Sequence, residues 1–403
     1  MNFIKFQKLL GKFMLVNFRL RFMFLFLVIL CIIGVIFTLY QKPDIRLCFV
    51  DSPNVVQSQS VGNENSSSDL WGIEKLEDIL LAKIQPTPGK SIFFHETSCP
   101  QLQKNLKTLN SIDKEAFHWH MVKLNARQAC AIESAALHNP NSQVFVLFAS
   151  PRYKYNNSNR NSSSVQGSEE ALIDAILSYK NVQLRNLNLW TYAANTPIYD
   201  WLKDGALFKS SYVLSHISDF LRYLTLWRWG GTYLDMDIVM LRSMEDLPPN
   251  YTGAESNTHL AAGIMNFDSD GFGHEIAYQC LQNFQQTFDG SNWGNNGPGV
   301  ITRVIKKICN TNNIELMMDT KRCMGFKVFG IDAFYAIPWR QWEHFFEPEL
   351  VEQTMERTKN SYVAHIWNKH SIKRPMRVGT KCAYCLMAEM HCPRVYKAAG
   401  EYF

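Results

Sequence analysis

Residues 230–240 read "GGTYLDMDIVM", and two acids stand where an apolar strand is expected. Tyr233, Leu234, Ile238 and Val239 favour extended backbone, in which Asp is disfavoured, so Asp235 and Asp237 weaken the strand they interrupt and call for a function. Alternation along a strand puts Asp235 and Asp237 on one face and turns Met236 the other way, toward packing. Carboxylates this close repel each other unless a cation lies between them. Oxygen ligands suit Mg²⁺ or Mn²⁺, which use one or two carboxylates and complete their shell with water and substrate phosphates. The pair therefore fits a metal that bridges a diphosphate, at the carboxyl end of a strand, where α/β sheets hold their ligands.

Working outward, "SHISDFLRYLTLWRWGG" just upstream reads as a helix. Ser218 is its expected cap, Phe220, Leu224 and Trp227 share one face, and Gly230 with Gly231 is the stop. Earlier still, "SIFFHETSC" (91–99), "SQVFVLFAS" (142–150) and "NVQLRNLNL" read as buried strands, with "LNARQACAIESAALHNP" and "EEALIDAILSYK" as the helices between them. Strands alternating with helices predict an α/β fold with a mainly parallel central sheet.

The start of the chain differs in kind. Residues 22–40, "FMFLFLVILCIIGVIFTLY", carry no charge and would extend roughly 28 Å as a helix, close to the ~30 Å of a hydrocarbon core. We expect a transmembrane signal anchor there, behind a cytosolic tail (1–21) and ahead of a Ser/Asn-rich lumenal stem (41–88) and a catalytic domain (89–403). Lys5, Lys8, Lys12, Arg19 and Arg21 precede the run, and the first forty residues hold no acid, so the positive-inside rule gives a type II orientation. Those five cations equal the whole net charge of +5. The remainder of the chain is balanced and offers no basic excess for a nucleic acid.

Of ten cysteines, Cys31 lies in the apolar run, and the others are expected to form disulfides in an oxidising lumen. Their odd number leaves one free or bonded to another chain, so a homodimer stays open. "CAYCLMAEMHC" (382–392) has the look of a zinc motif, but without a second pair at finger spacing disulfides are expected there too. Cys309 with Cys323 is the one pairing expected by position. Asn65, Asn156, Asn161 and Asn250 head glycosylation triplets.

The residues alone leave two chemistries for the aspartate pair: sugar transfer from a nucleotide sugar, or an aspartate-based phosphatase. The run "SDFLRYLTLWRWGGTYLDMDIVML" resembles the signature of glycosyltransferases with an Asp-x-Asp sugar-binding region. With "IFFHETSC", "ESAALHNPNSQVFVL", "TPIYDW", "NGPGVITRVIKKIC", "FYAIPWRQWEHFF" and "AHIWNKHS" in the same order from about residue 91 to residue 373, it is similar to the α-1,4-glycosyltransferase family. The resemblance implies a GT-A-type nucleotide-sugar-binding fold, Mn²⁺, a UDP-sugar donor and retention of the anomeric configuration. It assigns Asp235 and Asp237 to the metal and diphosphate, His365 to the metal, and Asp219 and Arg222 to the neighbourhood of the donor. Tyr233 and Trp293 are assigned to donor binding. In the loop "WGNNGPGV" (293–300) it places Asn295 and Asn296 beside the donor sugar or acceptor, with Asn296 as a candidate catalytic residue. Trp339 and Trp342 are candidates for stacking on an acceptor sugar.

The expected activity is transfer of galactose or N-acetylgalactosamine from UDP-Gal or UDP-GalNAc, α-1,4, onto the terminal sugar of a glycolipid in the Golgi. The alternatives are N-acetylglucosamine transfer onto glycoproteins and a catalytically silent sugar-binding protein.

Overall fold

The computed structural model describes residues 29–30, 45–49, 73–99, 120–155 and 167–403. Contacts divide the chain into Met1–Ile45 and Arg46–Phe403, and the second unit carries the sheet and the cleft. The apolar run 22–40, apart from the helical pair Ile29 and Leu30, lies outside the described residues. Among the described residues no helix is long and apolar enough to cross a membrane.

Eleven strands are described: β1 (Ile73–Lys75), β2 (Ile92–Glu96), β3 (Val144–Phe148), β4 (Tyr153–Tyr155), β5 (Val182–Asn186), β6 (Gly231–Leu234), β7 (Ile238–Met240), β8 (Tyr251–Ala254), β9 (Leu260–Phe267), β10 (Lys327–Phe329) and β11 (Val363–His365). Seven form the central sheet in the order β10-β8-β9-β6-β2-β3-β5. The half β6-β2-β3-β5 is parallel throughout. Beyond β6 the sheet is mixed, because β9 runs antiparallel to both β6 and β8, and β10 is parallel to β8.

The parallel half follows from its sequence. All five residues of β3, "VFVLF", are buried, as strands covered on both faces require. Phe94, Val146, Phe148 and Leu184 join one apolar cluster with Cys130, Ile132, Ala135 and Ile176 of the helices Ala126–His138 and Glu169–Leu177. On the other face Phe93 stacks on Phe145 at 5.9 Å, and the helix Val213–Trp229 packs against β2 and β6. That helix begins six residues earlier than the Ser218 cap predicts, with Tyr212 at the cap position. Ser218 sits within it, its Oγ turned to Arg222 Nη2 (3.3 Å) and the Tyr233 hydroxyl (3.4 Å) instead of to an N-terminal amide. The helix does end at the glycines. Gly231 has φ +80°, and a Cβ on it would fall 2.3 Å from the Ser91 carbonyl oxygen, so the close junction of helix and sheet admits only glycine there.

The decisive stretch departs from the expectation of one strand. Residues 231–234 belong to the central sheet, 238–240 pair with β11 in a separate two-stranded sheet, and Asp235–Asp237 form the turn between them. The acids leave the strand, and the unfavourable propensity that marked them in the sequence is relieved there.

The folded unit also starts before residue 89. β1 pairs with β4, and Asp78 bridges to Asn186, so residues 73–88 pack on the domain instead of extending the stem. Disulfides join Cys48–Cys99, Cys130–Cys392, Cys309–Cys323 and Cys382–Cys385. The remaining cysteine of this unit, Cys280, is buried, which removes it from reach of a second chain. Asn250 is turned inward, its amide donating to Asp268 Oδ2 at 3.1 Å and accepting from the Asp268 N–H at 2.8 Å, so it does not present a glycosylation site. Asn65, Asn156 and Asn161 lie outside the described residues.

Candidate active site

A cleft of about 960 Å³ opens over the carboxyl ends of β2 and β6, at the upper end of the size of small-molecule sites. One wall comes from a single run of chain. From the helix Val213–Trp229, Arg222 spans two acids: its Nη2 lies 3.1 Å from Asp219 Oδ1 and 3.4 Å from Asp235 Oδ1. Its Nη1 donates to the Ala262 carbonyl at 2.9 Å, and its guanidinium lies over the Tyr233 ring at 4.7 Å. The Tyr233 hydroxyl donates to Asp235 Oδ1 at 2.7 Å. Asp235 thus spends one oxygen on Tyr233 and Arg222 and keeps Oδ2 for the cleft.

The second wall arrives from more than a hundred residues away. Antiparallel pairing sets His365 opposite Ile238, and the Ile366 N–H donates to the Asp237 carbonyl at 2.8 Å. Trp367 then adopts a left-handed backbone, φ +58°, a conformation that costs a non-glycine residue free energy and is held by its surroundings. The reversal aims the Asn368 N–H at Asp237 Oδ2, 2.8 Å away. His365 Nε2 comes to 3.3 Å from Asp237 Oδ1 and 3.7 Å from Asp235 Oδ2. Arg127, buried at the start of the helix Ala126–His138, clamps this wall by donating to Ser371 O (3.0 Å), Asn368 Oδ1 (3.2 Å) and Arg374 O.

Burial disfavours charge on both aspartates, but their surroundings differ. Arg222, His365 and Tyr233 overcome burial at Asp235 and hold it down at about 2. Asp237 meets burial and the Asp235 charge with less compensation, and its pKa is raised. His365 resists charge through burial, yet Asp237 and Asp235 outweigh that and raise it. Burial lifts Asp219 to about 7 against the pull of Arg222. Arg222 and His365 are the basic groups that face the pair.

One ligand atom each from Asp235, Asp237 and His365 lies within 4.8 Å of the other two. Two carboxylate oxygens and an imidazole nitrogen, with an open side toward the cleft, are a donor set for a small divalent cation that takes its remaining ligands from substrate. The three residues fit such an ion, which would neutralise negative charge developing on a departing diphosphate.

The other sequence candidates divide. Trp293 lines the cleft, 39% exposed, with Lys369 Nζ over its ring at 3.3 Å. Asn295 also lines it. Asn296 does not: it is fully buried, its amide donating to the Asp289 carbonyl at 2.8 Å and accepting from the Asp289 N–H at 3.0 Å. Its polar atoms are used in shaping the loop, which turns the expected catalytic residue into a structural pin. Trp339 stands in the cleft mouth, stacked on His370 at 5.3 Å, whereas Trp342 packs on the core beside Phe346. Residues without a motif of their own are also present: His95, Glu255 and Tyr335 line the cleft, and Arg127 and Asn368 hold the second wall. His95 holds Thr225 through Nε2 at 3.0 Å, and burial followed by Arg222 pushes its pKa down to about 3, so the ring is neutral. His95, Tyr335 and Asn368 fall within the quoted stretches "IFFHETSC", "FYAIPWRQWEHFF" and "AHIWNKHS", and Arg127 within the helix at 126–138. Only Glu255 lies in no quoted stretch, and nothing local gave any of them a role.

Fold and site define a class, a glycosyltransferase with an Asp-x-Asp sugar-binding region. Residues 125–254 match the family described as "Glycosyltransferase sugar-binding region containing DXD motif", and residues 269–399 match "Alpha 1,4-glycosyltransferase conserved region". A lactosylceramide 4-alpha-galactosyltransferase of Mus musculus is 30% identical over 274 residues, 68% of this chain and 72% of its own length. An alpha-1,4-N-acetylglucosaminyltransferase of Homo sapiens is 27% identical over 218 residues, 54% of this chain and 62% of its own. Among solved structures, the PaToxG glycosyltransferase covers 83% of this chain and 92% of its own, at 12% identity and a TM-score of 0.35. The chain belongs to the α-1,4-glycosyltransferase family.

Proposed function

We propose that this protein is a Golgi type II membrane enzyme of GT-A fold that uses Mn²⁺. It transfers galactose or N-acetylgalactosamine from UDP-Gal or UDP-GalNAc, α-1,4 and with retention, to the terminal sugar of a glycolipid. The observation that carries the reading is the trio Asp235, Asp237 and His365 at the carboxyl end of β6, beneath a cleft roomy enough for a sugar nucleotide. Asp235 and Asp237 would ligate the cation with His365, and the cation would take the charge of the departing diphosphate. Arg222 keeps Asp235 ionised for that task, and Asn368 fixes the orientation of the Asp237 carboxylate. Trp293 and Asn295 border the donor side, and Trp339 offers an aromatic face to an acceptor sugar.

For retention we favour the same-face route, in which the acceptor hydroxyl attacks beside the leaving phosphate. Glu96 and Asp219 in the cleft are each engaged by a guanidinium, of Arg152 and Arg222. Glu255 forms no ion pair among the described residues and is the carboxylate to test as a nucleophile. Loss of all transfer and all donor hydrolysis in Glu255→Gln would move the reading to double displacement.

The relative named alpha-1,4-N-acetylglucosaminyltransferase keeps transfer of N-acetylglucosamine to glycoproteins as a second reading. Full-length protein in detergent, given UDP-Gal, UDP-GalNAc and UDP-GlcNAc with galactose-terminated acceptors, distinguishes them. Mn²⁺-dependent transfer from UDP-Gal or UDP-GalNAc, abolished by EDTA, is the expected result, and transfer from UDP-GlcNAc alone would replace it with the second reading.

A further inference from the structure

Tyr335 follows the short helix Ile331–Phe334 and is 1% exposed. Its ring lies against His365 at 5.5 Å and Trp367 at 5.7 Å, which fixes its direction toward the metal trio. Yet its hydroxyl, buried at the edge of the cleft, has no hydrogen-bond partner among the described residues. A buried hydroxyl left unpaired costs on the order of 1–3 kcal/mol. Phenylalanine would fill the same space without that cost, so the oxygen calls for a partner that arrives from outside the chain.

Gly263 on β9 locates that oxygen. A Cβ built there would lie 3.2 Å from Tyr335 Oη and 2.7 Å from Asp235 Oδ2. The two oxygens therefore converge beside one bare stretch of strand, and Asp235 Oδ2 is the oxygen left for a cation once Tyr233 and Arg222 have taken Oδ1. The Tyr335 hydroxyl is thus at the margin of the metal trio.

The charges around it select the ligand. Asp235, Glu255 and Asp237 all bear on Tyr335, with Arg222 as the opposing cation. A divalent cation would offset the two aspartates, and Arg222 would offset Glu255, so no positive charge is left over. A phosphate oxygen there would find no surplus positive charge to hold it, whereas a neutral sugar hydroxyl can accept a hydrogen bond from Tyr335 and donate its own to a carboxylate.

We propose that the Tyr335 hydroxyl is a specificity-determining contact for the donor sugar, giving its hydrogen bond to a hydroxyl oxygen of the hexose that is transferred. This rests on the nucleotide-sugar reading above.

The test is a pair of titrations on full-length protein in detergent with Mn²⁺, using UDP and the UDP-hexose that the wild type accepts, in wild type and Tyr335→Phe. The substitution removes one oxygen and keeps the ring on His365 and Trp367. Expected is unchanged affinity for UDP and a threefold to tenfold weaker affinity for the UDP-hexose, roughly the value of one hydrogen bond. Equal weakening of both ligands would assign the hydroxyl to the metal or the nucleotide, and no weakening of either would make it a passive core atom. Each of those results overturns the proposal. A series of UDP-monodeoxyhexoses adds a check that does not depend on how the variant folds: on the wild type one analogue should lose the same factor, and on Tyr335→Phe that analogue should lose nothing further. A uniform response across the series would also overturn the proposal. Wild-type protein that binds neither UDP nor any UDP-hexose would instead sink the nucleotide-sugar reading beneath it, and this is seen before a variant is made.

Discussion

The two walls of the cleft are built in opposite ways. The first, residues 219–237, is nearly continuous in sequence, and its polar groups pair with each other: Arg222 with Asp219 and Asp235, Tyr233 with Asp235. The second, Tyr335 to Asn368, is aromatic and reaches the first through the short β7–β11 ladder and two backbone N–H groups on Asp237, of Ile366 to its carbonyl and of Asn368 to its carboxylate. Its hydroxyl at Tyr335 has no hydrogen-bond partner among the described residues. The first wall is finished without substrate. The second is built to be completed by one. Self-pairing fixes a charge, while an unpaired group leaves room for recognition.

The contrast is broken most severely at the metal. Asp237→Ala removes one of the three proposed ligands and the group that Asn368 holds, and transfer should fall by ~10²–10³-fold or more, as with loss of a principal transition-state contact. Mn²⁺ titration alongside the transfer assay checks it, and wild-type metal binding in that variant would dismantle the trio.

Next comes the clamp on the second wall. Arg127→Met strips donors from the Ser371 and Arg374 carbonyls at about 1–3 kcal/mol for each buried acceptor left unsatisfied. The melting temperature should drop by several degrees and the Mn²⁺ requirement should rise. If stability falls but metal affinity holds, the second wall keeps its place without Arg127.

Tyr233→Phe sharpens the account of the first wall. The variant keeps the ring under Arg222 but removes the hydroxyl from Asp235, and loss of such an outer contact costs on the order of 10–100-fold in metal affinity. Unchanged affinity would mean that Arg222 alone orients the carboxylate.

The smallest effect is a pH dependence. Asp219 has a folded pKa near 7 against an ordinary 3.8, so the folded state holds a proton that the unfolded chain has released. The contribution of Asp219 to stability is therefore complete below about 3.8 and is lost as pH rises through 7. Asp219→Asn stays neutral, so its unfolding free energy relative to wild type should climb between pH 5 and about 7 and level off above, by up to ~1.4 kcal/mol per pH unit, with the melting temperature following. A flat difference across that range would show Asp219 ionised and fully paired with Arg222.

The same division governs what could be read from the chain. Asp235 and Asp237 were legible because each acid stood out against an apolar run, whereas Asp219, Arg222 and Tyr233 were marked by the family resemblance. The parallel strands were legible because continuous apolar runs mark burial on both faces. The turn at 235–237 was misread as strand because propensity carries no knowledge that β7 leaves the sheet to meet β11. Asn296 was misplaced because its neighbours Trp293 and Asn295 do face the cleft, and nothing local says which Asn of the pair turns inward.

By itself, then, the sequence determined the elements, the glycine stop at 230–231 and the acidic pair, since these depend on short-range sterics and burial. The family resemblance pointed to His365, but tertiary structure decided how it meets that pair, that Arg127 and Asn368 hold the second wall there, and that the Tyr335 oxygen beside it has no hydrogen-bond partner among the described residues. Those facts depend on which distant segments share one low-dielectric space, and no local pattern encodes that.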